Sequence, residues 1–417
     1  MFPKTQSTKA QLKKISDEID QDPNPLKNLG TYSTPMMERE AFKIMCKSIN
    51  KNLVDSSAYT HIGKHKDELL KMISHLLHGK DVRGEITSGS SESIYIAMMA
   101  HKLKWIEKHG QPTKKLNFVV GIHTHNTFEK FAKFFDVEMR SIPLNSKHSI
   151  DTSVVEEYID DHTICVVGIA CSTELAVTDN LKALDSIARK HRIPLHIDGA
   201  SGAFYLPFVA PDFKFDFRLK SVESINISGH KFGLTFPGVG CILIKNTAIP
   251  KELFSEINYL ASGELKHINL LCTQNAAFME GWHYTIKNLG FNGYRRVLKS
   301  LQRHSIFLKN KLSSIEGIQV VNSEGIYPVV TFTSDRYNLK ILSGHLYEKG
   351  WVQSPYKVKG TDVETIRVVL KIGMDRGLIT QFIDDLKTII GGDQDNKILS
   401  TVKTEIRGEN EGVLSIF

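Results

Sequence analysis

Between about residues 68 and 250, short β-branched runs alternate with stretches whose apolar residues recur near a period of 3.6. That alternation is the mark of strand–helix–strand units, which bury a mainly parallel sheet beneath helices on both faces. Residues 118–122, 164–170, 194–197, 224–227 and 239–244 are the expected strands. Residues 91–109, 127–135 and 181–191, each with an apolar stripe, are the expected helices between them. An α/β chain of this kind places its ligands at the carboxyl ends of the strands.

Past a helical stretch, a second and smaller α/β pattern follows, with strands at 318–322, 328–332 and 366–371 and helices at 339–349 and up to residue 390. The expected organisation is an N-terminal arm with helices (1–67), a large domain (68–273), linking helices (274–316), a small C-terminal domain (317–392) and a polar tail (393–417). Asp22-Pro23-Asn24-Pro25 closes the polar part of the arm, because two prolines hold the backbone extended.

Composition excludes several classes. With 41% apolar and 24% charged residues over 417 positions, the chain is not disordered. The formal charge of +7 comes from lysines and arginines scattered along the chain with no nucleic-acid motif, so no nucleic-acid partner is expected. Cys46, Cys165, Cys171, Cys241 and Cys272 form neither a C-x-x-C pair nor a zinc spacing, which fits reduced thiols and no metal. The N-terminus lacks the apolar core of a signal peptide, and the longest apolar runs fall far short of the roughly 20 residues of a membrane helix. A cytoplasmic protein without a membrane partner is the expectation.

Three segments at strand ends or helix starts carry the chemistry. Thr87-Ser88-Gly89-Ser90-Ser91-Glu92-Ser93 precedes a helix, where free N–H groups and the positive dipole end suit a phosphate. His196-Ile197-Asp198-Gly199-Ala200-Ser201-Gly202 ends a strand, and alternation puts His196 and Asp198 on one face. Ser228-Gly229-His230-Lys231-Phe232-Gly233 ends another, placing a lysine where burial can lower its pKa and let it form a Schiff base. Each has an ordinary reading by itself: a helix cap, a turn cap, a solvated lysine. Taken together, Ser90/Ser91, Asp198 and Lys231 would supply pyridoxal 5'-phosphate with a phosphate cradle, a partner for its ring nitrogen and a partner for its aldehyde.

With these segments in place, the sequence resembles the group II pyridoxal-phosphate-dependent amino acid decarboxylases, glutamate decarboxylase most closely. The resemblance runs from Asn28 to about Ile390 and includes Asn28-Leu29-Gly30-Thr31-Tyr32, Ser48-Ile49-Asn50-Lys51-Asn52-Leu53-Val54-Asp55, Asp216-Phe217-Arg218-Leu219 and Ile366-Arg367-Val368-Val369. It implies the aspartate aminotransferase-like fold (fold type I), with a mainly parallel seven-stranded sheet in the large domain, and a homodimer with shared active sites. By resemblance, Lys231 bonds the cofactor, Asp198 pairs with its ring nitrogen, and Ser90, Ser91, Ser228 and His230 serve its phosphate. Thr173 falls near the phenolic oxygen, and Arg367 grips the substrate's α-carboxylate. Thr31 and Asp55 match positions that touch the distal carboxylate of a glutamate bound by the neighbouring subunit.

The chain departs from glutamate decarboxylases at His125, the ring-stacking position, where they carry glutamine and where aromatic amino acid decarboxylases and sphingosine phosphate lyases carry histidine. The expected activity is removal of the α-carboxylate of an amino acid, glutamate or a related acidic one favoured, to give an amine and carbon dioxide. Decarboxylation of histidine or aromatic amino acids, and carbon–carbon lyase action of the sphingosine phosphate lyase type, are the alternatives within this chemistry. Outside it stand a cofactor-binding pseudoenzyme and a metal-dependent hydrolase built on His123, His125, His196 and Asp198. The segment from Asn258 begins like the family's substrate-covering loop and diverges after Leu260, with Tyr259 a candidate proton donor.

Overall fold

The computed structural model describes residues 7–55, 57–260, 263–322 and 325–392, so the tail expected at 393–417 lies outside the described residues. Three helices, α1 (Lys9–Ile19), α2 (Arg39–Ser48) and α3 (Thr60–Leu76), precede the large sheet. Its strands are β1 (Val82–Thr87), β2 (Asn117–Gly121), β3 (Glu138–Ile142), β4 (Thr163–Ile169), β5 (Leu195–Asp198), β6 (Val222–Ser228) and β7 (Gly240–Lys245). Helices α4 (Ser90–His109), α5 (Asn126–Phe134), α6 (Leu181–His191) and the short α7 (Leu206–Val209) connect them.

The seven strands run in the order β1-β7-β6-β5-β4-β2-β3. From β6 to β3 every neighbouring pair is parallel, whereas β7 is antiparallel to both β6 and β1. The five apolar runs are all strands, within one or two residues of their expected bounds. The two strands without such a run, β1 and β3, are the sheet's edges, and half-burial there leaves polar residues in place.

Period-2 alternation divides the core. Phe118 and Val120 of β2 pack with Cys165 and Val167 of β4 under Ile94, Met98, Phe128 and Phe131 of α4 and α5. Val119, Val166 and Ile197 point to the opposite face, among Leu184, Ala188 and Leu69. Their alternation is the physical reason that His196 and Asp198 share a face.

A hairpin, β8 (Ser255–Leu260) with β9 (Gly263–His267), leads to the long helix α8 (Ala277–Ser313). Within α8 two helical segments meet at a kink at Gly290, whose φ of 56° and ψ of −177° are non-helical. The second sheet joins β10 (Gln319–Val320), β11 (Val329–Thr333), β12 (Tyr356–Lys357) and β13 (Glu364–Val369) in the antiparallel order β10-β11-β13-β12. Helices α9 (Leu339–Glu348) and α10 (Arg376–Gly391) cover it through Leu342, Leu346, Phe382 and Leu386.

Gly290 makes a direct prediction. A Cβ built there meets nothing within 4 Å, so any cost of adding one is backbone strain rather than a clash. Its dihedral region is almost exclusive to glycine, and Gly290→Ala should lose about 1–3 kcal/mol of stability. Urea unfolding of Gly290→Ala and Gly290→Ser should give equal losses; an unchanged midpoint in both would show that the break is not glycine-dependent.

Candidate active site

The carboxyl ends of β4, β5 and β6 and the N-terminus of α4 enclose a cavity of about 240 Å³. Ser90, Ser91, His125, Thr173, Asp198, Ser228, His230 and Lys231 all line it, so the eight residues expected around one small molecule do converge. Thr31, Asp55 and Arg367 lie outside that lining.

Lys231 sits in a turn whose tightness depends on glycine: a Cβ on Gly233 would stand 2.4 Å from the Gly229 carbonyl oxygen. The Gly233 carbonyl accepts from Tyr294 Oη at 2.8 Å, which ties the turn to α8. From the N-terminal side, Thr34 Oγ1 donates to the His230 and Lys231 carbonyls, each at 3.0 Å. Burial pushes the Lys231 amine below the ordinary lysine range, against the pull of Asp198 and Cys171. Burial and the adjacent Lys231 likewise push His230 down to about 4.

Asp198 ends β5 and accepts on Oδ1 from the Ala200 N–H at 3.1 Å and from Asn226 Nδ2 at 2.8 Å. Asn226 Nδ2 also donates to Ser90 Oγ at 2.6 Å, so its Oδ1 accepts from His196 Nε2 at 2.9 Å. With that proton on Nε2, neutral His196 accepts on Nδ1 from Ser224 Oγ at 2.7 Å. Ser224 in turn accepts from His101 Nε2 at 2.8 Å. From His101 to Asn226 the donors of this buried row point toward Asp198, and hydrogen bonds chained in this way strengthen one another. Burial holds His101 down to about 3 and His196 to about 4, keeping both rings neutral.

His125 caps α5, accepting on Nδ1 from the Thr127 N–H at 3.3 Å, which leaves its own proton on Nε2. Burial lowers its pKa, opposed by Asp198 and reinforced by Lys231. Thr127 Oγ1 lies 3.1 Å from Ser91 Oγ, joining the ring to the anion end of α4. The four residues of the hydrolase alternative do not gather as ligands: His123 faces Asp179 at 3.1 Å, while His196 is engaged by Ser224 and Asn226.

Residues 27–335 match the pyridoxal-dependent decarboxylase conserved domain. The chain belongs to that family. It is an amino acid carboxy-lyase whose cofactor is pyridoxal phosphate. Glutamate decarboxylase of Solanum lycopersicum is 33% identical over 397 residues, spanning 90% of this chain and 79% of that relative. The structure of glutamate decarboxylase from Lactobacillus brevis superposes with a TM-score of 0.88 at 30% identity, over 94% of this chain and 95% of the other. Sphingosine-1-phosphate lyase of Burkholderia pseudomallei shares the fold, with a TM-score of 0.82 at 20% identity over 94% and 92% of the two chains.

The residues of this decarboxylase fit the cofactor's chemistry. Ser228 Oγ and His230 Nδ1 are buried without a hydrogen-bond partner among the described residues. Gly89, the N-cap of α4, offers no side-chain bond to the first turn, which leaves its N–H groups for an anion. The Glu92 carboxylate in the first turn is engaged by the Ser88, Leu270 and Leu271 N–H groups. A phosphate monoester supplies the acceptors that these donors lack.

Arg367 stands apart on β13. Its Nη1 donates to the Thr173 carbonyl and its Nη2 to the Gly30 carbonyl, while Nε is buried without a partner among the described residues. Between it and Lys231 lies Tyr32, whose ring centre is 5.1 Å from the Arg367 guanidinium and 5.2 Å from Lys231 Nζ. Tyr32 and Asn226 are the site residues that sequence reasoning missed. Tyr32 stood inside a quoted motif without a role, and Asn226 sat inside a strand that was read only as core. Thr31 turns back on Ser33 at 3.0 Å. The side chain of Tyr259 lies outside the described residues.

The buried row predicts a pH dependence of stability. An unfolded histidine titrates near 6.5, so below that pH the unfolded chain binds protons that folded His101 and His196 refuse. Stability therefore falls as pH drops from about 6.5 toward 4, by on the order of 2 kcal/mol per histidine at pH 5. Urea midpoints of the apoprotein at pH 7 and pH 5 measure this, and His101→Gln should narrow the difference. Equal narrowing by substitution of the exposed His61, and none by His101→Gln, would contradict the assignment.

Proposed function

We propose that the cavity holds pyridoxal phosphate through the eight residues that line it, and that the substrate is glutamate or a related acidic amino acid. The observation that carries this reading is their convergence on one cavity, around a lysine whose pKa burial lowers. The glutamate decarboxylase relatives support the choice of substrate.

When bound, pyridoxal phosphate supplies an aldehyde that condenses with amines and a ring that takes up the electron pair left by a departing carboxylate. Lys231 would present its amine to that aldehyde, and desolvation disfavours the ammonium form that could not react. Asp198, with Oδ1 engaged by Asn226 and Ala200, keeps Oδ2 for the ring N–H and holds the proton there. Ser90, Ser91, Ser228 and His230 bind the phosphate, and Thr173 contacts the phenolic oxygen. His125 covers the ring face as a neutral imidazole. Arg367 receives the substrate's α-carboxylate, its buried Nε being a donor without a partner among the described residues.

The partition into arm, large domain, linking helices and small domain belongs to the same proposal, as does a homodimer with shared active sites. In that assembly Thr31 and Asp55, which stand outside their own chain's cavity, serve the distal carboxylate of a substrate in the neighbouring subunit. Two carboxyl groups in contact must share a proton, so activity should rise toward acidic pH. We assign the protein to the cytoplasm. Five free cysteines support a reducing compartment, and no described helix is long and apolar enough to cross a membrane.

Carbon dioxide release should be measured over glutamate, aspartate, cysteine sulfinate, histidine and aromatic amino acids. Glutamate or another acidic amino acid should lead, whereas release from aromatic substrates alone would overturn the substrate assignment and favour the alternative raised by His125. Borohydride should fix the visible chromophore to the peptide carrying Lys231, and Lys231→Ala should reduce carbon dioxide release to background. Asp198→Asn should retain the chromophore and lose most of the rate, which would separate its role from cofactor retention.

A further inference from the structure

Away from this cavity, α3 and α8 bring together a second set of side chains. His65 and Glu68 stand three residues apart on α3, and Glu280 and His283 three apart on α8, so each pair shares a helix face. His65 Nδ1 is 2.9 Å from both carboxylate oxygens of Glu280. His283 Nε2 is 2.9 Å from Glu68 Oε2. The two imidazole rings stack with centroids 4.7 Å apart, and donor atoms of His65, Glu280 and His283 all lie within 4.8 Å of one another.

Charge and burial distinguish this cluster from a surface ion pair. The Glu280 side chain is only 5% exposed, and among the described residues no lysine or arginine stands within 4.0 Å of it. The cluster's one lysine, Lys287, is engaged by Glu68 at 2.5 Å. A buried carboxylate paired with a single imidazole has a deficit of positive charge. The His65 side chain is 41% exposed, which gives an ion a way in.

We propose that His65, Glu280 and His283 form a site for a divalent transition-metal ion of the zinc class, with Glu68 holding the His283 ring in place. Two imidazoles and a carboxylate suit zinc, cobalt, nickel or copper, whereas calcium and magnesium favour oxygen ligands throughout. A tetrahedral ion at about 2.0–2.2 Å from each ligand needs donor atoms somewhat over 3 Å apart, and rotation of the exposed His65 closes the remaining gap. A carboxylate on the second nitrogen of a ligating imidazole is a usual support for the ring's orientation, and with Glu68 on Nε2 the nitrogen left for the ion is His283 Nδ1. The bound ion clamps α3, which leads into β1, against α8, which carries the chain to the second sheet. The site takes no part in the carboxy-lyase chemistry.

The test uses the full-length holoprotein without a histidine tag, stripped with EDTA and titrated with Co²⁺ and then Zn²⁺. One equivalent of Co²⁺ should give a weak visible ligand-field band without a thiolate charge-transfer band. Zn²⁺ should displace the Co²⁺ and raise the unfolding temperature. Glu280→Gln and His283→Gln should weaken binding at least tenfold, and His65→Ala, an exposed truncation, provides the same reading if the buried variants do not fold. Cys46→Ser with Cys272→Ser should leave binding unchanged. No stoichiometric binding, a thiolate band, or affinity retained in His65→Ala would overturn the proposal.

Discussion

A carboxylate buried at the end of a parallel strand is costly unless donors surround it, and Asp198 is the group on which this site depends. Its oxygen is held by the turn after β5 and by Asn226 of β6, and Asn226 reaches Ser90 at the start of α4. One amide side chain thereby sets the Asp198 end of the cavity relative to the anion-binding end. Behind it, His196, Ser224 and His101 orient the donors, and the two imidazoles remain neutral because they are out of water.

Lys231 is the complement of that arrangement. It stands on the turn after β6, the strand carrying Asn226, and that turn is held by Thr34 from the N-terminal segment and by Tyr294 from α8. Desolvation lowers its pKa, and the neighbouring Asp198 opposes the shift. Tyr32 completes the group, its ring lying within about 5 Å of both Lys231 and Arg367 and joining the large-sheet chemistry to a residue of the second sheet.

Much of this is legible in the sequence, and the reason is local. Asp198, Lys231 and Ser90/Ser91 lie where a strand ends or a helix begins, and the small residues beside them mark tight turns that a linear reading detects. The five interior strands announce themselves because burial on both faces leaves little room for polar residues. Edge strands β1 and β3 escaped because half-burial erases that signal, and the break at Gly290 escaped because one glycine in a helical pattern has many readings.

The sequence by itself determined the class of sheet, the ends of the strands that carry chemistry, and the residue types able to serve pyridoxal phosphate. Only the tertiary structure decided which distant residues complete them. Asn226 lies 136 positions from Ser90, Tyr32 lies 141 from Thr173, and the His65 and Glu280 pair spans 215. Spacing reports neighbours along one helix or strand, whereas contacts of that range arise only when sheet order and helix packing bring separate elements together.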